Sequence, residues 1–285
     1  MVPGGGSPAG HGVDGACERG WSPAAGARLG PPRGCPLSYA GGVAYWLLKA
    51  ALTPVLRVLY RIEVDGAESV PSRGPVILAS NHISFCYSVF LPLVVARRVT
   101  FVAKAEYFDD WRTAWFFRSI GQIPMRREGG SASDAALAAA RSVLDAGGVL
   151  GIYPEGTRSP DARLYRGHTG VARLALATGA PVVAVAMIGT DVVMPIGSVR
   201  PKVFRPIVIR FSRPLTFARQ AGHLDDPFVL RQATDEIMFE LAQLSGQEYV
   251  DRYARRPQDA QVERGAAAEV TKSPQAGNLQ DTSAA

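Results

Sequence analysis

Two short stretches of this 285-residue chain hold groups that could do chemistry together: Asn81-His82-Ile83-Ser84 and Pro154-Glu155-Gly156-Thr157-Arg158-Ser159. An imidazole titrates near neutrality, with an ordinary pKa of about 6.5, so His82 can take a proton from a hydroxyl. A guanidinium forks onto phosphate oxygens, so Arg158 suits a phosphate-bearing substrate. Glu155 and Thr157 add a carboxylate and a hydroxyl to the same loop. The chemistry implied is a base that activates an alcohol beside a cation that holds a phosphate. Read singly, each stretch has a plainer meaning. His82 can merely hydrogen-bond a turn, and E-G-T-R occurs on many surface loops.

The elements that must position these groups are short. Apolar runs at residues 75–79 and 148–153 precede the two stretches and read as buried strands. Ser80 and Asn81 break the first run, and Ser84 is the expected N-cap of an apolar helix over residues 89–96. Pro154 and Gly156 force a tight loop after the second run. His82 is thus expected where a strand hands over to a helix, a place often open to substrate.

Together and in this order, the stretches resemble the glycerolipid acyltransferase family, the 1-acyl-sn-glycerol-3-phosphate acyltransferases. These enzymes move an acyl chain from a thioester carrier to lysophosphatidic acid. The family's first block reads N-H-x-S-x-x-D, matched by Asn81, His82 and Ser84. Its third reads P-E-G-T-R-S, matched throughout by Pro154 to Ser159. Gly121-Gln122-Ile123-Pro124-Met125-Arg126-Arg127 is similar to the second block, and Ala180-Pro181-Val182-Val183-Ala184-Val185-Ala186 to the fourth. The resemblance covers residues 45–217.

The resemblance implies an α/β fold, a mixed sheet flanked by helices, with an N-terminal amphipathic segment that associates with a membrane. It implies His82 as the base and Glu155 as a second catalytic residue, orienting Arg158 or the Thr157 loop. Arg127, Gly156, Thr157 and Arg158 would hold the acceptor phosphate. The donor would be acyl-CoA or acyl carrier protein, the acceptor lysophosphatidic acid, with neither cofactor nor metal. The expected location is the cytoplasmic face of the cell membrane, peripheral or monotopic.

This sequence departs from the pattern at the family's aspartate, where it has Tyr87. A carboxylate there fixes the tautomer of the imidazole and stabilises its charged form; losing the equivalent group in a serine-protease triad costs about 10⁴ in rate. A tyrosine hydroxyl could accept a bond from the ring but is neutral. Glu106, Asp109 and Asp110 are alternative orienting groups. Met125-Arg126 and His168 are lesser departures. Two other readings follow: a non-catalytic or impaired lipid-binding paralogue, and an acyltransferase for another acceptor such as a glycolipid.

The net charge of +6 favours an anionic partner. No nucleic-acid signature accompanies it, and the basic residues are not interleaved with aromatics, which excludes nucleic acid as the preferred partner. Cys17, Cys35 and Cys86 have no metal-site or disulfide-framework spacing. Cys86 beside His82 is either an inert packing residue or a nucleophile. Arg163, Arg166 and His168 extend the basic lining, and Lys104 is either a solvated lysine or a cation for the phosphates of coenzyme A.

Residues 1–40 are rich in Gly, Pro, Ala and Ser and are expected to be disordered. Residues 41–61 are apolar, carry Lys49, Arg57 and Arg61, and are interrupted by Pro54. They suit the membrane interface or the domain's own core better than a span of about 20 apolar residues. Residues 62–250 form the expected α/β domain, with strands at 62–65, 99–103, 120–124, 181–187 and 206–211. Helices are expected at 133–146, 170–178 and 228–244, with a further aromatic-faced helix around Trp111, Trp115 and Phe116. Arg97 and Arg98 should face the negative end of the helix before them. Residues 251–285 are expected to be a disordered tail.

Overall fold

The computed structural model describes residues 42–84, 86–104, 109, 114, 122–125, 130–195, 198, 200–220 and 222–254. Strands lie at β1 (Arg61–Asp65), β2 (Val76–Ser80), β3 (Val99–Lys104), β4 (Ile123–Met125), β5 (Val149–Ile152), β6 (Leu164–Tyr165), β7 (Val182–Ile188), β8 (Pro206–Phe211) and β9 (Tyr249–Val250). Helices are α1 (Gly42–Leu59), α2 (Tyr87–Val94), α3 (Gly130–Asp145), α4 (Gly170–Thr178), the single turn α5 (Thr190–Val193) and α6 (Pro227–Ser245). The aromatic segment around Trp111 and the tail after residue 254 lie outside the described residues.

Seven strands form one sheet in the order β1-β8-β7-β2-β5-β3-β4, and β6 pairs with β9 separately. All neighbours in the large sheet are parallel except β7 and β8, so the sheet is mixed, as expected. Alternate side chains of a strand point to opposite faces, and both faces here are covered. Val76 and Leu78 of β2 pack with Val183, Val185 and Met187 of β7 beneath α1 and α2. Ile77 and Ala79 face the other way, with Val182 and Ala184, onto α3, α4 and α6. Every residue of β2 is buried. Burying one large side chain such as Ile77 or Leu78 contributes about 1.5–3 kcal/mol. This two-sided burial is why the central strands read as unbroken apolar runs.

Three expectations about the elements change. α1 runs unbroken through Pro54. The carbonyl that this proline leaves without a helical partner belongs to Ala50, an exposed residue that water can reach. Ser84 does not cap α2, which begins at Tyr87 with Cys86 at the cap position. Instead the Ser84 hydroxyl accepts from Cys86 N–H at 3.4 Å and donates to the Met194 carbonyl at 3.1 Å. Arg97 does not face the end of α2 but donates to the carbonyls of Pro71, Gly74 and Gly147 at 2.8, 2.7 and 2.6 Å. The end of α2 takes its cation from α1, where Lys49 Nζ donates to the Val95 carbonyl at 2.5 Å.

Candidate active site

β2 and β5 are parallel neighbours, so their carboxyl ends open at the same edge of the sheet. From β2 the chain leaves toward β3 and β4, and from β5 toward β7 on the other side. Such a reversal splays the connecting loops and leaves a crevice for ligands. His82 follows β2 and the Pro154–Ser159 loop follows β5, so both candidate stretches meet there.

His82 is held first through its neighbours. The β2–β7 ladder ends at Ser80 and Val185. The Asn81 side chain then continues it: Oδ1 accepts from Met187 N–H at 2.9 Å and Nδ2 donates to the Met187 carbonyl at 3.2 Å. The second Nδ2 proton goes to Gln247 Oε1 at 2.7 Å, and Gln247 Nε2 donates to the Ala162 carbonyl at 2.5 Å. Gln247 therefore links the first block to the loop after the third. It had no signal in the sequence beyond being a polar residue just past a helix-ending glycine.

The His82 main chain is clamped on both sides. Its N–H donates to Glu155 Oε1 at 2.9 Å, and its carbonyl accepts from Ser159 N–H at 2.7 Å. The other Glu155 oxygen accepts from Tyr165 N–H at 3.0 Å. Of the two roles expected for Glu155, orienting Arg158 or the Thr157 loop, these bonds favour the loop: the buried carboxylate spans two main-chain N–H groups and ties three segments together. Burial pushes its pKa up, against the two N–H bonds that pull it down, and with the Asp161 charge the result is about 7. Ser159, fully buried, fixes the far end of the loop and donates through Oγ to Asp161 at 3.3 Å.

The His82 ring lies flat on Tyr153, with centroids 4.0 Å apart and planes at 13°. Phe101 backs Tyr153 at 5.8 Å and 16°. Gly151 makes room for this stack, since a Cβ there would fall 2.3 Å from the Phe101 ring. The Tyr153 hydroxyl is bonded to Ser88 Oγ at 3.3 Å. Aromatic stacking fixes ring orientation and is worth about 0.5–1.5 kcal/mol beyond burial.

Tyr87 is fully buried and meets the His82 ring edge-on, with centroids 6.2 Å apart. Its hydroxyl donates to the Met187 carbonyl at 3.3 Å and accepts from Ile83 N–H at 3.4 Å. Burial raises its pKa far above the ordinary range, so it stays a neutral phenol. The Met187 carbonyl therefore receives both Asn81 and Tyr87, and the two residues share one anchor on either side of His82.

Gly156 takes the left-handed conformation, φ +69°, that its turn requires and is exposed. Thr157 is half-buried and Arg158 exposed beside it. Among the described residues, no ion pair engages the Arg158 guanidinium. The other cations are committed elsewhere: Arg163 pairs with Asp161 and Glu248, and Arg166 with Asp251. His168 stacks on Tyr253 at 4.5 Å. Arg127, Glu106, Asp110 and the Lys104 side chain lie outside the described residues, and Asp109 is exposed. The Cys86 thiol is buried, its pKa raised by burial, with its sulfur 3.7 Å from that of Met194, which suits packing rather than nucleophilic attack. A cavity of about 340 Å³ lies between α6 and β9. Its carboxylates, Asp235 and Asp251, are paired with Arg231 and Arg166, so it offers no competing acid–base centre.

The fold is a mixed α/β sheet flanked by helices, with His82 and the Pro154–Ser159 loop at one edge. Residues 61–188 match the Acyltransferase family model. The chloroplastic 1-acyl-sn-glycerol-3-phosphate acyltransferase of Arabidopsis thaliana is 31% identical over 140 residues, 49% of this chain and 39% of that protein. The 1-acyl-sn-glycerol-3-phosphate acyltransferase of Borreliella burgdorferi is 29% identical over 139 residues, covering 46% of this chain and 52% of its own length. This chain thus spans about two-fifths to one-half of these curated relatives, 39% and 52%. The crystal structure of the 1-acyl-sn-glycerophosphate acyltransferase PlsC from Thermotoga maritima shares the fold: TM-score 0.55 at 23% identity, over 71% of this chain and 78% of that one.

Proposed function

We propose that this chain transfers an acyl group from acyl-CoA or acyl carrier protein to the free hydroxyl of lysophosphatidic acid, giving phosphatidic acid. The observation that carries the reading is a half-buried imidazole, fixed by a stacked ring and a doubly bonded main chain, with the exposed Arg158 guanidinium on the loop bonded to it. His82 takes the proton of the acceptor hydroxyl as its oxygen attacks the thioester carbonyl. The carbon–sulfur bond then breaks, and the thiolate leaves with the proton from the imidazolium. Arg158, with Arg127, holds the acceptor phosphate, and Gly156 and Thr157 shape the loop that presents Arg158. Glu155 keeps the base and this loop in register. Holding both substrates beside a fixed base supplies much of the rate. His82→Ala should lower acyl transfer to lysophosphatidic acid by about 10²–10⁴-fold, the usual worth of a general base. Unchanged turnover would remove His82 from the mechanism.

The reaction's lipid acceptor calls for a membrane surface, at the cytoplasmic face of the cell membrane in this reading. α1 supports it. One side of the helix packs Leu52, Leu56 and Leu59 onto the core, while Val43, Trp46, Leu47, Val55 and Val58 stay exposed. No helix among the described residues is long and apolar enough to cross a bilayer, so α1 is assigned to the interface plane, with Lys49 and Arg57 at its flanks.

Tyr87 favours a second reading, a lipid-binding paralogue without full activity. A neutral phenol cannot stabilise an imidazolium as a carboxylate does. Comparing acyl transfer by the natural chain and by Tyr87→Asp separates the two. Turnover by the mutant alone supports the binding module, and turnover by the natural chain supports the enzyme.

A further inference from the structure

The loop between α5 and β8, Arg200-Pro201-Lys202-Val203-Phe204-Arg205, presents an aromatic side chain to solvent in a costly way. Phe204 is 70% exposed, and its backbone has φ +60°, in the left-handed region that bulky L-residues avoid. Val203 beside it is 41% exposed. The loop is tied down at two points. Lys202 N–H donates to the Val193 carbonyl at 2.7 Å, and Phe204 N–H donates to the Leu59 carbonyl at 2.8 Å. Leu59 ends α1, so Phe204 satisfies a carbonyl that the helix leaves open. The exposed aromatic is thereby fixed next to the end of the helix whose outer side carries Val55 and Val58.

Charge decides what such a rim fits. Neither residues 43–62 nor residues 192–224 contain an aspartate or glutamate. Arg200, Lys202 and Arg205 are exposed in the loop, and Arg57 and Arg61 are exposed at the end of α1 and the start of β1. Apolar tips ringed by cations match a bilayer with anionic headgroups, where each cation near the surface adds attraction that salt screens.

We propose that the Val203–Phe204 loop is a second membrane-docking element. It inserts beside α1 into an anionic leaflet, with Arg200, Lys202 and Arg205 on the lipid phosphates. The inference rests on the reading of α1 as an interfacial helix and adds to it a fixed second point of contact, which sets the tilt of the sheet edge toward the membrane.

Phe204→Gly tests it, because docking and packing predict opposite signs. Glycine relieves the left-handed backbone, so thermal stability should hold or rise. Binding of the full chain to phosphatidylcholine vesicles containing one-quarter phosphatidylglycerol should weaken about tenfold, as expected for losing one partly buried aromatic. Replacing Lys202 and Arg205 by glutamine should weaken binding to those vesicles while leaving binding to pure phosphatidylcholine unchanged. Unaltered vesicle affinity in Phe204→Gly overturns the proposal. So does a joint fall of affinity and melting temperature, which marks Phe204 as a packing residue. A loss of self-association at unchanged vesicle affinity assigns the loop to a second copy of the chain instead. Acyl transfer by Phe204→Gly to a short-chain lysophosphatidic acid, monomeric and without vesicles, should equal that of the natural chain. If neither protein transfers acyl groups but vesicle binding still falls, the proposed activity fails and the docking loop stands.

Discussion

The carboxyl ends of β2 and β5 and the outer face of α1 are built on opposite plans. Around His82, its own N–H and carbonyl, the N–H of Ile83 and the side chains of Asn81, Tyr87 and Glu155 all have named partners. Along the outer side of α1, Val43, Leu47, Val55 and Val58 expose apolar surface with no bonds to satisfy. Directional bonds fix one geometry and are lost all at once, whereas apolar area acts in proportion to its extent. Substitutions at the first place should therefore change turnover and stability. Substitutions at the second should change partition to a surface and little else.

Glu155→Ala should give the largest effect. It leaves the N–H groups of His82 and Tyr165 without their acceptor, which costs about 2–6 kcal/mol of stability at about 1–3 kcal/mol per buried group. Turnover should fall with it, while vesicle affinity per folded molecule stays the same. Chemical denaturation and vesicle sedimentation check the two halves, and loss of vesicle affinity in the folded fraction would break the contrast.

Gln247→Ala should act more gently, costing about 1 kcal/mol for its bond to Asn81. Under the proposed function, the rate constant for transfer should drop a few-fold with the acceptor KM unchanged, since Gln247 bonds Asn81, the neighbour of the proposed base His82. Gln247→Glu should rescue part of the loss, because a carboxylate still accepts from Asn81 but cannot donate to Ala162. A raised KM with unaltered turnover would count against a positioning role.

The last effect is one of pH. The folded protein retains the Glu155 proton that the unfolded chain has released, because its pKa rises from 4.5 to about 7. Its contribution to stability is thus full below pH 4.5 and is lost as pH rises through about 7. Asp161 has the opposite sign. Burial raises its pKa, but bonds from Arg163 and Tyr165 outweigh that and lower it from 3.8 to about 2, so its contribution is lost only in strong acid. Denaturation midpoints of the natural chain and of Glu155→Gln across pH 5–8 should converge as the pH rises and Glu155 ionises.

The strands were legible where burial was two-sided. Residues 181–187 announce β7 by an apolar run buried on both faces, 206–211 announce β8 although it is buried only at alternate positions, and α4 falls where its pattern ends at Gly179. β6 and β9, two residues each, are too short to show any period. Within the site, residue types were legible and their partners were not. The Glu155 carboxylate was expected to orient Arg158 or the Thr157 loop, and the residue type did not show that it meets a backbone 73 residues earlier. Gln247 reaches Asn81 across 166 residues, and no local pattern encodes a contact that only the folded sheet creates. Pro54 looked like a break because sequence alone does not show which side of α1 faces water.

Gly151 has a consequence well beyond its own position. The rings of Phe101, Tyr153 and His82 lie like plates in one pile, and the absent side chain at residue 151 is what lets the bottom plate lie flat. One added methyl would push Phe101 aside, tilt the ring above it and turn the imidazole away from its acceptor. A change that never approaches the reacting atoms, and adds no charge or polarity, would thus be felt as lost aim.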